Sequence, residues 1–199
     1  MRRTHHTIML VCEGYAEDEF ARVIRDLYLE RNCGTILQRK NARGNGGARA
    51  LQLAMQLKRE TAHDAYGVLI DTDQHWGDGE RAQARASEIH AIENTPCLEA
   101  TLLQIDGQNS HRLTRDNKAA FEEQYGGPAN REGVIRRNFT REKFELARTG
   151  RWPMVGGLHW AGWRQSLLFV PKYRSLAAIQ RATALLPERE LVPPSTRPS

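Results

Sequence analysis

The stretch AYGVLIDTD, residues 65–73, decides the fold. From Tyr66 to Ile70 it is an unbroken apolar run in a chain with 27% charged residues. Period-two alternation is missing, so the run reads as a strand covered on both faces, as in a parallel sheet between layers of helices. It ends in two carboxylates, Asp71 and Asp73, where the backbone leaves the strand. Two acids at i and i+2 can then point at one place, and hard oxygen ligands of this kind select Mg²⁺ or Mn²⁺. A capping aspartate in a polar turn is the plainer alternative.

Working toward the N-terminus, the same pattern recurs. THHTIMLVC reads as a short buried strand that stops at Glu13-Gly14. AEDEFARVIRDLYLERN then places Phe20, Val23, Ile24 and Leu27 at helical spacing. Asn32 and Gly34 punctuate its end, and TILQRK is a second strand. NARGNGG reads as a turn or flexible loop, and ARALQLAMQLKRETA as a helix. Beyond the central strand, ERAQARASE is a helix, IHAIEN a weaker strand, and TPCLEATLLQI a helix that starts after Pro96. Strands and helices alternate throughout, which predicts right-handed crossovers and a largely parallel α/β sheet, Rossmann-like in class. Functional residues in such sheets gather at the carboxyl ends of the strands. Glu13 and Asp71 both fall there. Glu17 lies in the first turn of the helix after Glu13, while Asp18 and Glu19 read as helix-start charges.

Past residue 107 the character changes. NSHRLTRDNKAAFEEQYGG and NREGVIRRNFTREKFELARTG read as helices with polar, basic faces. RWPMVGGLHWAGW holds Trp152, Trp160 and Trp163, SLAAIQRATALL is a further helix, and the end is Pro-rich. The expected organisation is an α/β core over 1–107, a mainly helical basic extension over 108–186 packed on that core, and a fraying tail over 187–199.

The 199 residues carry a net charge of +5. The mean hydropathy of −0.63 and the lack of any apolar run near the roughly 20 residues needed to span a bilayer argue against a membrane protein. With no signal-peptide core after MRRTHH, a cytoplasmic chain is expected. Cys12, Cys33 and Cys97 form no paired motif and read as reduced thiols. Charge is unevenly distributed. Residues 38–59 hold Arg39, Lys40, Arg43, Arg49, Lys58 and Arg59 and no acid, whereas residues 71–80 hold four acids and no Lys or Arg. A basic surface beside an acidic pocket suits metal-dependent chemistry on a phosphodiester, with Arg39, Lys40, Arg43 and Arg49 on the substrate backbone. Arg136 and Arg137 extend the basic track. His75, close after the paired aspartates, is placed for proton transfer or phosphate contact, or simply faces solvent.

Three other readings of DTD are weaker. A calcium loop fails because His75 and Trp76 occupy positions that need a ligand and a glycine. A haloacid-dehalogenase phosphatase carries its paired aspartates on the first strand, with Thr or Val where His75 stands. EGYAE is not a Gly-rich dinucleotide loop.

Taken together, LVCEGYAEDEF and GVLIDTD resemble the TOPRIM fold, with Glu-Gly after the first strand and a DxD after the third. The second acid of EGYAE resembles the nuclease branch, the OLD-type and RloB-like proteins. ENTPCLEATLLQ is similar to an RloB-like Ser-Asn-Pro-Cys-Phe-Glu block, departing from it by an inserted Thr95, by Leu98 in place of Phe and by Ala100-Thr101 where a Trp is usual. The resemblance spans about residues 7–105. It implies that Glu13, Glu17, Asp71 and Asp73 hold Mg²⁺ or Mn²⁺, with Glu99 as a further acid, and that Glu13, Asp71 and Asp73 are catalytic. It also implies hydrolysis of DNA or RNA in bacterial or phage defence, beside an ABC- or AAA-type ATPase partner. The chain has no GxxxxGK[ST] loop of its own. A homo-oligomer is compatible with this reading. Primase-like nucleotidyl transfer and a non-catalytic nucleic-acid- or partner-binding subunit are the rival expectations.

Overall fold

The computed structural model describes residues 6–29 and 33–149. The expectations for the tryptophan-rich segment, the SLAAIQRATALL helix and the tail fall outside these residues. Four strands, β1 (His6–Cys12), β2 (Thr35–Asn41), β3 (Ala65–Asp71) and β4 (His90–Asn94), form one sheet in the order β2-β1-β3-β4. Every pairing is parallel. Helices α1 (Tyr15–Tyr28), α2 (Gly46–Glu60), α3 (Asp78–Ala86) and α4 (Leu98–Ile105) alternate with the strands. Helices α5 (Thr114–Tyr125), α6 (Val134–Asn138) and α7 (Arg141–Thr149) follow.

The apolar run in β3 is explained by burial on both faces. Leu69 points with Leu10 and Cys12 into a core built with Phe20 and Val23 of α1, Leu98 and Leu102 of α4, and Phe121, Phe139 and Phe144 from the segments that follow. Val68 and Ile70 point with Met9 and Val11 into a second core with Ala50, Leu51 and Ala54 of α2 and Ala84 of α3. Each fully buried aliphatic side chain contributes about 1.5–3 kcal/mol, so the two cores hold the sheet from both sides.

Local chemistry sets the element ends. α1 starts at Gly14, whose N–H donates to the Glu17 carboxylate at 2.9 Å, and α3 starts likewise with Gly77 and Glu80 at 2.8 Å. α1 ends at Tyr28, earlier than its spacing predicts. Only part of the glycine-rich loop is a loop. Gly46 and Gly47 already belong to α2 and are packed under the segment after β3. A Cβ on Gly47 would stand 2.9 Å from the Trp76 ring, and one on Gly46 2.9 Å from the His75 Cβ. Gly46 also has φ +80°, which L side chains rarely adopt. VIRRNFTREKF is two helices rather than one, because Phe139 leaves the helical path and is buried against Phe121 and Phe144. Among the described residues, no helix is long and apolar enough to cross a membrane.

Candidate functional site

The carboxyl ends of β1 and β3 are adjacent, because these strands are paired through Cys12 and Leu69. The chain leaves each end with an acid. The Glu13 N–H donates to the Leu69 carbonyl at 3.0 Å, and the Glu13 carboxylate accepts from the Asp71 N–H at 3.1 Å. Glu17, one turn into α1, is buried. Asp71 is buried and its Oδ1 accepts from the Leu98 N–H, at the start of α4, at 3.0 Å. Asn94, at the end of β4 and fully buried, reaches the Ile70 carbonyl at 3.3 Å. Glu99 sits in the first turn of α4, also buried. Asp73 is exposed and accepts from the Thr114 hydroxyl at 2.7 Å.

These five carboxylates feel one another. Burial first, and then the charges of Glu17, Glu99, Glu13 and Asp73, push the Asp71 carboxyl up to about 9. Glu17 is pushed up to about 7, by burial and then by Glu13 and Glu99. Glu13 is raised by burial, against the hydrogen bond from Asp71, and Asp73 raises it further. Crowding and poor solvation thus hold Asp71, Glu17 and Glu13 back from ionisation. Acting against this, Lys118 of α5 and then His75 lower Glu13. Partial burial disfavours the Lys118 ammonium, but Glu99, Asp71, Cys97 and Asp73 outweigh it and hold Lys118 above the ordinary lysine range. The neighbouring Cys97 thiol is pushed up to about 12 by burial and the nearby acids, so it stays neutral and is no nucleophile.

The donor set is of the chemical type that a hard divalent cation takes, carboxylate oxygens alone. A cation would displace the proton that burial keeps on Asp71. Among the described residues, no three His, Cys, Asp or Glu side chains stand in a metal-holding arrangement. The Glu13, Glu17 and Asp71 carboxylates are each tied by an oxygen to a backbone N–H.

The basic candidates divide. Lys40, Arg43 and Arg49 are exposed on β2, the following loop and α2. Arg39 differs from the expectation of a substrate contact. Its guanidinium donates to the Asp18 carboxylate at 2.8 Å and to the Asp18 carbonyl, fastening β2 to α1. Asp18 and Glu19 are therefore more than helix-start charges. Glu19 is buried and accepts from Arg22 at 2.8 Å and from the Gly133 N–H at 3.4 Å. Arg136 lies 3.6 Å from Asp26, and Arg137 folds back over Gly133. His75 is exposed with φ +53°, its carbonyl accepting from the Ala48 N–H.

Lys118, Thr114 and Asn94 were not legible as site residues. Lys118 and Thr114 are separated from the acids by tens of residues and sit in an ordinary polar helix. No spacing rule links them to a strand end. Comparison with protein-family models, with curated proteins and with solved structures finds no match to this chain.

Proposed function

We propose that this chain is a divalent-metal-dependent nuclease of the TOPRIM type, in the RloB-like and OLD-type branch, that hydrolyses phosphodiester bonds of DNA or RNA. The observation that carries the reading is that Glu13 and Asp71, at the carboxyl ends of two paired parallel strands, are joined by a hydrogen bond at 3.1 Å beside the buried Glu17 and Glu99. Mg²⁺ or Mn²⁺ held by Glu13, Glu17, Asp71 and Asp73, with Glu99 beside them, would polarise the scissile phosphate and activate a water. Lys118 supplies a fixed positive charge against the phosphate oxygens. The His75 imidazole takes or gives a proton at the rim. Lys40, Arg43 and Arg49 hold the substrate backbone without reading its sequence. The setting we infer is bacterial or phage defence, with any ATP hydrolysis supplied by an ABC- or AAA-type partner.

The test is incubation with single- and double-stranded DNA and RNA in Mg²⁺, Mn²⁺ or EDTA. Metal-dependent cleavage that EDTA abolishes is expected. The exposed basic rim favours a second reading, a nucleic-acid- or partner-binding module without catalysis. Salt-sensitive binding with no cleavage in any metal would establish it.

A further inference from the structure

Helix α5 follows the α/β unit in sequence, yet it supplies contacts to the acidic edge. Thr114, its first residue, donates its hydroxyl to the Asp73 Oδ2 at 2.7 Å. Lys118, one turn later, presents its charge to Asp71, Asp73 and Glu99. Both come from one face of the helix, at i and i+4. The start of α5 is fastened in place. Asn117 is fully buried, accepts from the His111 N–H at 2.7 Å, and donates to the His111 carbonyl at 2.8 Å and the Leu113 carbonyl at 3.0 Å. Phe121, one turn further on, is fully buried in the core shared with α4. The Thr114 hydroxyl is thus held by the fold, whereas Asp73 stands on an exposed turn.

We infer that Thr114 is a positioning residue of the acidic site: its hydroxyl orients the Asp73 carboxylate, so that α5 is a wall of the site. This rests on the metal-dependent reading above. An exposed aspartate samples several rotamers, and a donor fixed by a buried helix start selects one of them. One carboxylate oxygen is then committed to Thr114 and the other keeps a defined direction for a cation.

The test is Mn²⁺ binding followed by electron paramagnetic resonance, with Thr114→Val, Thr114→Ser, Asp73→Asn and the double variant. Thr114→Val keeps the shape and removes the donor. It is expected to weaken Mn²⁺ by about tenfold, the order of a lost hydrogen bond to a charged group, and to raise the Mg²⁺ concentration for half-maximal cleavage in step. Thr114→Ser is expected to stay within about twofold of the unmodified chain, since it keeps the donor. In the Asp73→Asn background Thr114→Val should have almost no further effect, because the two act as one unit. If Thr114→Val does not fold, Thr114→Ala carries the same comparison. Unchanged Mn²⁺ affinity in Thr114→Val, or full additivity with Asp73→Asn, overturns the inference alone. Failure of the unmodified chain to bind Mn²⁺ overturns it together with the metal-dependent reading.

Discussion

The backbone N–H of Asp71 donates to the Glu13 carboxylate at 3.1 Å, so the acid that follows β1 is anchored on the last residue of β3. The pairing of β1 with β3 brings these two acidic turns, far apart in the chain, to one edge, and this contact joins them. Glu13→Gln keeps an acceptor for that N–H and removes the charge. Cleavage is expected to fall by about 100-fold or more, the order for losing a charge contact at the reacting centre, with an unchanged circular dichroism spectrum. Full activity in this variant would rule the edge out as the site.

The same crowding makes stability depend on pH. The Asp71 carboxyl is pushed up to about 9 and Glu17 to about 7, above their values in an unfolded chain. The folded protein therefore binds more protons than the unfolded one, and stability falls as pH rises from about 4 through those values. In EDTA the melting temperature should be lower at pH 8.5 than at pH 5.5. Mg²⁺ should restore more of it at the higher pH, by binding the ionised acids. Asp71→Asn should flatten the slope in EDTA. A melting temperature that is flat or rises across this window would contradict the assignment.

Lys118 is predicted to act on rate rather than on folding. It is only partly buried, so Lys118→Ala should change stability little, within about 0.5 kcal/mol. Its loss should slow single-turnover cleavage about 10- to 100-fold, with Lys118→Arg retaining part of the rate. Equal rates in Lys118→Ala and the unmodified chain would remove it from the site.

The arginines should separate by readout. Arg43→Ala and Arg49→Ala should weaken duplex binding and each lower the slope of log K against log salt by about 0.9. Arg39→Ala should leave that slope alone and lower stability instead, because it strips Asp18 of its partner. Salt titrations of binding and urea unfolding of the three variants check this together.

Gly47 is predicted to be intolerant of a side chain. A Cβ there would press into Trp76, which is buried in the core of the α2 face. Gly47→Ala should cost about 1–3 kcal/mol, the range for overpacking, measured by urea unfolding. A neutral effect would mean that the Trp76 seat gives way easily.

Much of the arrangement was legible from local patterns. The continuous run Tyr66–Ile70 marks a strand between two helical layers, and Asp71 directly after it marks the carboxyl edge of the sheet. Glu13 follows by the same logic from LVCEG. What stayed hidden depends on contacts between distant segments. Arg39 looked like one more exposed cation until the fold placed Asp18 beside it. Phe139 interrupts a good helical sequence because aromatic packing with Phe121 and Phe144 outweighs local propensity.

The order of strands and helices, the parallel pairing and the position of Glu13 and Asp71 at strand ends were thus determined by the sequence alone. Periodicity and turn residues act over a few positions, and a continuous apolar run leaves few other ways to bury it. Only the tertiary structure decided which side chains surround those acids. Lys118, Thr114 and Asn94 reach them across separations where sequence spacing carries no information. Burial and mutual repulsion at the edge, which set the protonation of Asp71 and Glu17, exist only once the sheet and its helices have closed around them.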